Sequence, residues 1–410
     1  MSLPRRFPIV AALTLLVYAA CGAGESTAPP PGGPVAPGPQ VMSDSAFVAA
    51  LHARLEADTK ADQFSGAVLV TRDGQTLFER AYGRADRDKG ILNTPLTQFR
   101  VGSMNKMLTA VAVLQLVQAG KVKLDAPLGT YLPDYPNADV RSKVTPHHLL
   151  THTGGTGDIF GPEFTAHRTE LRTTSDYLGL FGTRGLLFEP GTQWAYSNYG
   201  FLLLGAIIER VSGMSYDAYL AAHVLAPAGM TATGSVPEDS VVPGRSVGYT
   251  RQIVPGVLVS NAPTLPYRGM AAGGMYSTVG DFARFTVALR EHRLLDAEHT
   301  ALLINGKVPM GQSGLVKYAY GFIDRVQVGR RLVGHGGSAP GQNGELSFEP
   351  NGGYVIVVLS NFDPFAATQI EAFILDRLPT STSASVAAAA RSAPTLARTR
   401  RPSREAMAFR

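Results

Sequence analysis

Apolar positions along this chain change their period in an order that outlines a fold. From Ser43 to Asp58 they fall at Phe47, Leu51 and Leu55, one face of an amphipathic helix. Two alternating runs follow, Gly66 to Thr71 and Thr76 to Tyr82, joined at Asp73-Gly74, a pair that accepts the positive φ angles of a tight hairpin turn. Helical spacing returns at Ser103, with Met107, Leu108, Val111, Leu114 and Val117 in step, and stops at Gly120. Residues 125 to 270 read mostly as helices and loops, including helices over Leu202 to Val211 and Tyr216 to Val224. Strand periods then reappear at Tyr318 to Arg325, Arg331 to Gly334, Gly344 to Glu349 and Tyr354 to Leu359, and an apolar helix from Ala366 to Leu378 closes the pattern. Strands at both ends around a helical middle predict an α+β body: an antiparallel sheet flanked by terminal helices, with a helical domain inserted. Within a body spanning 43–378, the sheet part is expected over about 43–125 and 275–378 and the helical part over about 126–274. A cleft between the two parts is the natural place for a site.

The ends depart from this pattern. Arg5 and Arg6 precede an apolar run from Ile9 to Ala20, too short for a spanning helix, which takes about twenty residues, and residues 1–21 read as a signal peptide. The single cysteine, Cys21, ends that run and resembles the lipidated cysteine of bacterial lipoproteins, although Tyr18 stands where an aliphatic residue is usual. Either lipidation at Cys21, with a lipid anchor to a membrane through the N-terminus, or plain cleavage follows; in both cases the protein is expected to be exported, periplasmic or membrane-anchored. Residues 22–42, with Pro29-Pro30-Pro31, read as a semi-stiff linker, and 379–410 as a disordered basic tail.

Composition narrows the function classes. With 45% hydrophobic and 17% charged residues the bulk is ordinary globular protein. The net charge of +5 has its source in the tail, where Arg391, Arg398, Arg400, Arg401, Arg404 and Arg410 face only Glu405. A basic surface on the folded body, which binding to nucleic acid requires, is therefore not expected.

Candidate chemistry begins at Ser103-Met104-Asn105-Lys106. A hydroxyl in the first turn of a helix and an amine three residues on project from one face. Serine is a poor nucleophile until a base takes its proton, and lysine serves as that base when burial lowers its pKa. The positive end of the helix favours developing negative charge and disfavours a protonated amine. Lys106 is the only lysine of the chain with a serine three positions before it. Spacing alone is equally compatible with a chance pair on a solvated helix end.

Further blocks resolve that ambiguity. Phe99-Arg100-Val101-Gly102-Ser103-Met104-Asn105-Lys106 resembles the active-site block of class C β-lactamases, D-alanyl-D-alanine carboxypeptidases and related esterases. Leu149-Leu150-Thr151-His152-Thr153-Gly154-Gly155, Pro190-Gly191 with Tyr196-Ser197-Asn198, Gly273-Gly274-Met275 and His335-Gly336-Gly337 are similar to that family's later blocks, in the same order, over about 45–375. The resemblance implies a β-lactamase/transpeptidase-like fold and an acyl-enzyme mechanism. It implies Ser103 as nucleophile, Lys106 as proton acceptor, and Tyr196 as the phenol that passes protons to the leaving group and from the deacylating water. Asn198 would bond Lys106 and a substrate amide. The backbone N–H groups of Ser103 and Ser338 would form the oxyanion hole, with Gly337 beside them and Ser338 on an edge strand. His335 is the departure: many relatives carry Lys-Thr-Gly there, whose amine and hydroxyl attract a carboxylate, whereas histidine is mostly neutral at pH 7. Unless Ser338 or an arginine such as Arg268 substitutes, carboxylate anchoring is weak. An ester or a D-amino-acid peptide is then expected before a penicillin, with a true β-lactamase, or a binding or sensor protein that does not turn over, as the alternatives.

Three other chemistries find less support. His147, His148 and His152 have metal-like spacing but no carboxylate or cysteine in register, so no metal is expected. Pro340 breaks a Gly-x-Ser-x-Gly elbow around Ser338, and Gly273-Gly274 lacks the strand and spacing of a dinucleotide loop. The expected partner is a small-molecule or peptidoglycan-like substrate, with no cofactor; oligomeric state is not legible.

Overall fold

The computed structural model describes residues 42–379. The leader over 1–21, Cys21, the linker up to Val41 and the tail from Thr380 lie outside the described residues.

Helix α1, Asp44–Lys60, begins where Ser43 Oγ accepts from Ala46 N and buries Phe47, Leu51 and Leu55, as its period predicts. Strands β1, Gly66–Arg72, and β2, Gln75–Tyr82, follow. The turn between them has positive φ at both Asp73 and Gly74, the geometry that pair favours. Helix α2, Asn105–Gln118, is buried on nearly every side and stops at its cap Ala119, followed by Gly120 with φ +68°. A 3₁₀ turn, Gly102–Met104, precedes it, so Ser103 sits one turn ahead of the helix predicted to start there. Helix α3, Asn198–Ser212, is capped by Ser197, and α4, Val279–Arg290, by Thr278.

The other strands of the main sheet are β3, Val308–Pro309; β4, Val316–Tyr318; β5, Ile323–Gln327; β6, Arg330–Ala339; β7, Gln342–Phe348; and β8, Tyr354–Ser360. Helix α5, Ala366–Leu375, ends the body. These eight strands pair antiparallel in one sheet of order β2-β1-β8-β7-β6-β5-β4-β3, which joins the early and late parts of the described body as expected. Side chains alternate across it. One face packs Val68, Val70, Leu332, Ile356 and Val358 against α1 and α5, and the other packs Leu69, Val333, Leu346 and Val357 against α2 and α4. No helix among the described residues is long and apolar enough to cross a membrane.

Three local readings are corrected. The single strand expected over Tyr318 to Arg325 is a hairpin: Ala319 N donates to Phe322 O, and Gly321, φ +69°, turns the chain where a β-carbon would stand 2.7 Å from Lys106 O. Helices Val279–Arg290 and Ala297–Ile304 are absent from the predicted elements, and Tyr249–Val254 with Val257–Ser260 form a hairpin in the stretch read as helices and loops. Finally, β6 is an interior strand, not an edge. Its pairing with β5 nevertheless ends at Gly334, so from His335 to Ala339 it bonds only β7 and one edge lies open.

Candidate active site

Glycines let the backbone close around Ser103. A β-carbon on Gly337 would stand 2.0 Å from Val101 O and 3.1 Å from Ser103 N; one on Gly102, whose φ is +49°, would stand 3.0 Å from Ser338 N. A third, on Gly273, would meet Gly102 O at 3.0 Å. The turn is held from that side by Val101 N donating to Met275 O, 2.9 Å, and Gly274 N to Gly102 O, 3.3 Å. The open end of β6 is thereby laid against the 3₁₀ turn, with Ser103 N and Ser338 N brought to the same place.

Lys106 is fully buried on α2. Its Nζ lies 3.2 Å from Ser103 Oγ, 2.7 Å from Asn198 Oδ1 and 2.6 Å from the carbonyl oxygen of Ala272. Burial lowers its pKa from 10.5 to about 7, partly opposed by the Asp158 carboxylate. The neutral amine has two hydrogens and one lone pair. Asn198 Oδ1 and Ala272 O only accept, so they take both hydrogens, and the lone pair is left facing the Ser103 hydroxyl. The ring of Tyr196 lies 4.7 Å from Nζ and that of Phe201 5.3 Å.

Tyr196 and Asn198 are set by the start of α3. Ser197 Oγ accepts from Gly200 N, 2.9 Å, and donates to Gly157 O, 2.5 Å, while Ser197 N donates to His152 Nδ1, 3.1 Å. His152 is buried with its ring 4.3 Å from that of Tyr196, and burial with the nearby Lys106 holds its pKa well below the usual value. Asn198 N and Nδ2 donate to the two oxygens of Asp158, at 3.0 and 3.2 Å.

His335 is buried and neutral: burial first, then Lys106, depress its pKa to about 3. Its Nδ1 lies 2.5 Å from Gly336 O and is therefore the protonated nitrogen, leaving Nε2 to accept from the Tyr318 hydroxyl at 3.0 Å. Arg268 is engaged elsewhere, by the Asp217 carboxylate and, at 2.9 Å, by Ser235 O. Ser338 is exposed, with its Oγ accepting from Asn343 Nδ2 at 3.2 Å. Neither His335 nor Arg268 offers the site a cation.

The structure thus gathers Ser103, Lys106, Tyr196, Asn198 and the Gly337-Ser338 backbone, with His335 joined through Tyr318. Ser103, Tyr196 and Asp158 are half-buried, so the group opens to solvent on the hydroxyl side. Sequence reasoning passed over three participants. Ala272 acts through its carbonyl and carries no side-chain signal, Tyr318 was absorbed into a strand pattern, and Asp158 is a lone acid in the glycine-rich loop after His152. Among the described residues no group of three or more His, Cys, Asp or Glu is placed to hold a metal. A hydroxyl with a lone pair aimed at its proton, beside clustered backbone N–H groups, can perform acyl transfer.

The family described as Beta-lactamase matches residues 51–379. Esterase EstB of Burkholderia gladioli is 34% identical over 279 residues, covering 59% of this chain and 71% of its own. The crystal structure of a penicillin binding protein from Bacillus halodurans is 33% identical, with a TM-score of 0.72, over 79% of this chain and 98% of its own. That of a D-stereospecific amidohydrolase from a Streptomyces species is 28% identical, with a TM-score of 0.66, over 80% and 98%.

Proposed function

The chain belongs to the Beta-lactamase family and is a serine hydrolase, and from that premise we propose that Ser103 is the nucleophile by which it hydrolyses an ester or an amino-acid amide. Ser103 Oγ bonds to the substrate carbonyl carbon as its proton passes to Lys106 Nζ. The oxygen that becomes anionic is received by the backbone N–H groups of Ser103 and Ser338, donors whose individual loss costs about 3 kcal/mol in well-studied cases. The carbonyl–heteroatom bond then breaks, and the leaving group takes a proton by way of the Tyr196 hydroxyl. Water repeats the sequence on the acyl-serine, giving up its proton to Tyr196 and Lys106 and releasing the acid.

The observation that carries this reading is the placement of Lys106, 3.2 Å from Ser103 Oγ: in its neutral form two acceptor-only oxygens can take both hydrogens, so that its lone pair faces Ser103. The substrate ranking is supported by neutral His335 and by Arg268 being paired with Asp217, so that neither residue is a free cation for the carboxylate of a penicillin. A p-nitrophenyl ester, a D-amino-acid peptide and nitrocefin, run in parallel on the wild type and Ser103→Ala, test it. Ester or peptide turnover that vanishes in the variant is expected; rapid nitrocefin turnover without ester hydrolysis would overturn the ranking. We also read the division into a sheet part and a helical part, and export through the 1–21 leader with Cys21 as lipid anchor, as parts of this proposal. Those rest on sequence pattern.

A further inference from the structure

Among the described residues, Asp158 is the one acidic side chain bonded directly to the Lys106–Asn198 pair. Its Oδ1 accepts from Asn198 N, 3.0 Å, and from Ile159 N, 2.8 Å, and its Oδ2 accepts from Asn198 Nδ2, 3.2 Å. All three donors are neutral amides. A carboxylate has about four acceptor positions, so one stays available, on the oxygen that carries a single bond. No side-chain cation of the described residues forms an ion pair with it: Arg184, whose guanidinium reaches the backbone oxygen of Asp158 at 2.9 Å, is paired through its other nitrogen with Glu163. The carboxylate is half-buried; Lys106, whose pKa it raises, is about half protonated at pH 7 and balances it only in part, and a desolvated charge short of counter-charge is costly.

The rest of the site repeats this bias. Lys106 is close to half-neutral at pH 7, His335 carries no charge, and Arg268 is neutralised by Asp217. Family relatives with a lysine at the position of His335 present a positive site to a negative substrate. Here the fixed charge next to the reacting groups is negative. A ligand complementary to it carries a positive group on the acyl side, beside Asn198. In an aminoacyl ester or amide the α-ammonium is two bonds from the scissile carbonyl, which places it next to that carbonyl.

We propose that Asp158 is a specificity-determining residue that receives the ammonium group of the acyl donor, so that the site selects aminoacyl esters and amides with a free α-amine over their N-acylated counterparts. This rests on Ser103 being the nucleophile and deepens that reading by naming the substrate class. A charge-assisted hydrogen bond of this kind corresponds to about tenfold to hundredfold in kcat/KM.

The test uses D-alanine p-nitroanilide, N-acetyl-D-alanine p-nitroanilide and p-nitrophenyl acetate on the wild type, Asp158→Asn and Ser103→Ala. The wild type is expected to favour the free amine over the N-acetyl substrate by at least tenfold, and Asp158→Asn to reduce that ratio by about tenfold or more, chiefly through KM. A ratio is insensitive to the fraction of variant that folds. If Asp158 only orients Asn198 or balances Lys106, all three substrates change together and the ratio stays, which overturns the proposal; so does a wild-type ratio near one. Acetate-ester hydrolysis that is lost in Ser103→Ala while the ratio behaves in either of those ways removes the Asp158 inference alone. Ester hydrolysis that is absent, or that survives in Ser103→Ala, removes the nucleophile reading and this inference with it.

Discussion

Two buried polar clusters flank the same stretch of β6, and they use burial to opposite ends. On the α2 face lie Lys106, Asn198 and His335; on the α5 face lie Glu345, Glu371, Arg325, Ser347 and Thr368. Both hold a group whose pKa is shifted toward its neutral form. Burial lowers Lys106 to about 7, and burial together with the neighbouring Glu371 pushes Glu345 up to about 8. The second cluster is closed: Arg325 pairs with Glu371 at 2.7 Å and donates to Ser347 at 2.8 Å, and Thr368 donates to Glu345 at 2.7 Å. Gly336 completes the closure, since a β-carbon there would meet the Glu345 carboxylate at 2.7 Å. The first is open, because half-buried Ser103 connects it to solvent and the β6 edge beside it has no strand partner. A shifted pKa inside a protein therefore does not by itself mark a catalytic site; access to a reacting atom distinguishes the two.

Substitutions in the open cluster should cost rate and those in the closed one stability. The largest effect belongs to Ser103→Ala and Lys106→Met, each expected to reduce kcat by at least about a thousandfold with little change in thermal midpoint. The double variant should be no worse than either alone, since the two groups act as a unit. Steady-state kinetics with calorimetry checks both statements. Next is Arg325→Met, which leaves the buried Glu371 carboxylate without its cation beside a protonated Glu345 and should cost about 3–5 kcal/mol in urea unfolding with kcat per folded molecule unchanged. Gly337→Ala then asks whether the backbone approach matters. Its β-carbon overlaps Val101 O, so β6 must withdraw from the Ser103 turn and carry Ser338 N away, with an expected loss of about a hundredfold in kcat.

Smaller effects appear in pH profiles. Because the folded protein lowers the pKa of Lys106, the amine accepts the Ser103 proton above about pH 7, and log kcat/KM should fall with unit slope as pH drops below that point. For Glu345 the sign is reversed. Its raised pKa means the folded state keeps a proton that the unfolded chain releases from about 4.5 upward, so its stability contribution is full below 4.5 and is lost as pH rises through about 8. Glu345→Gln should flatten that part of the stability profile, compared at pH 5 and pH 8 by urea midpoint, and leave the activity profile in place.

How much of this was legible in the chain depends on where each interaction is encoded. The Ser103–Lys106 pair, the Asp73-Gly74 hairpin and the apolar face of α1 are local, and local spacing reveals them. The turn within 318–325 escaped because Tyr-Ala-Tyr-Gly-Phe keeps an alternating look while Gly321 bends the backbone against α2. Ala272 bonds Lys106 through a carbonyl that every residue possesses, and the closing of β6 on the Ser103 turn is visible only as glycines whose absent side chains make room. Asp158 lies three residues beyond the Leu149–Gly155 block as a lone acid, and its meaning depends on the neutrality of His335 and the pairing of Arg268, which are tertiary facts.

The central claim is that Ser103 is made nucleophilic by an unprotonated Lys106. Fluorophosphonate labelling followed by intact-mass spectrometry and peptide mapping, run from pH 5 to 9, tests it most directly. A single adduct on Ser103, forming faster as pH rises through about 7 and lost in Ser103→Ala, is the result predicted. Labelling at another residue, or a rate on Ser103 that does not respond to pH across that range, would contradict it.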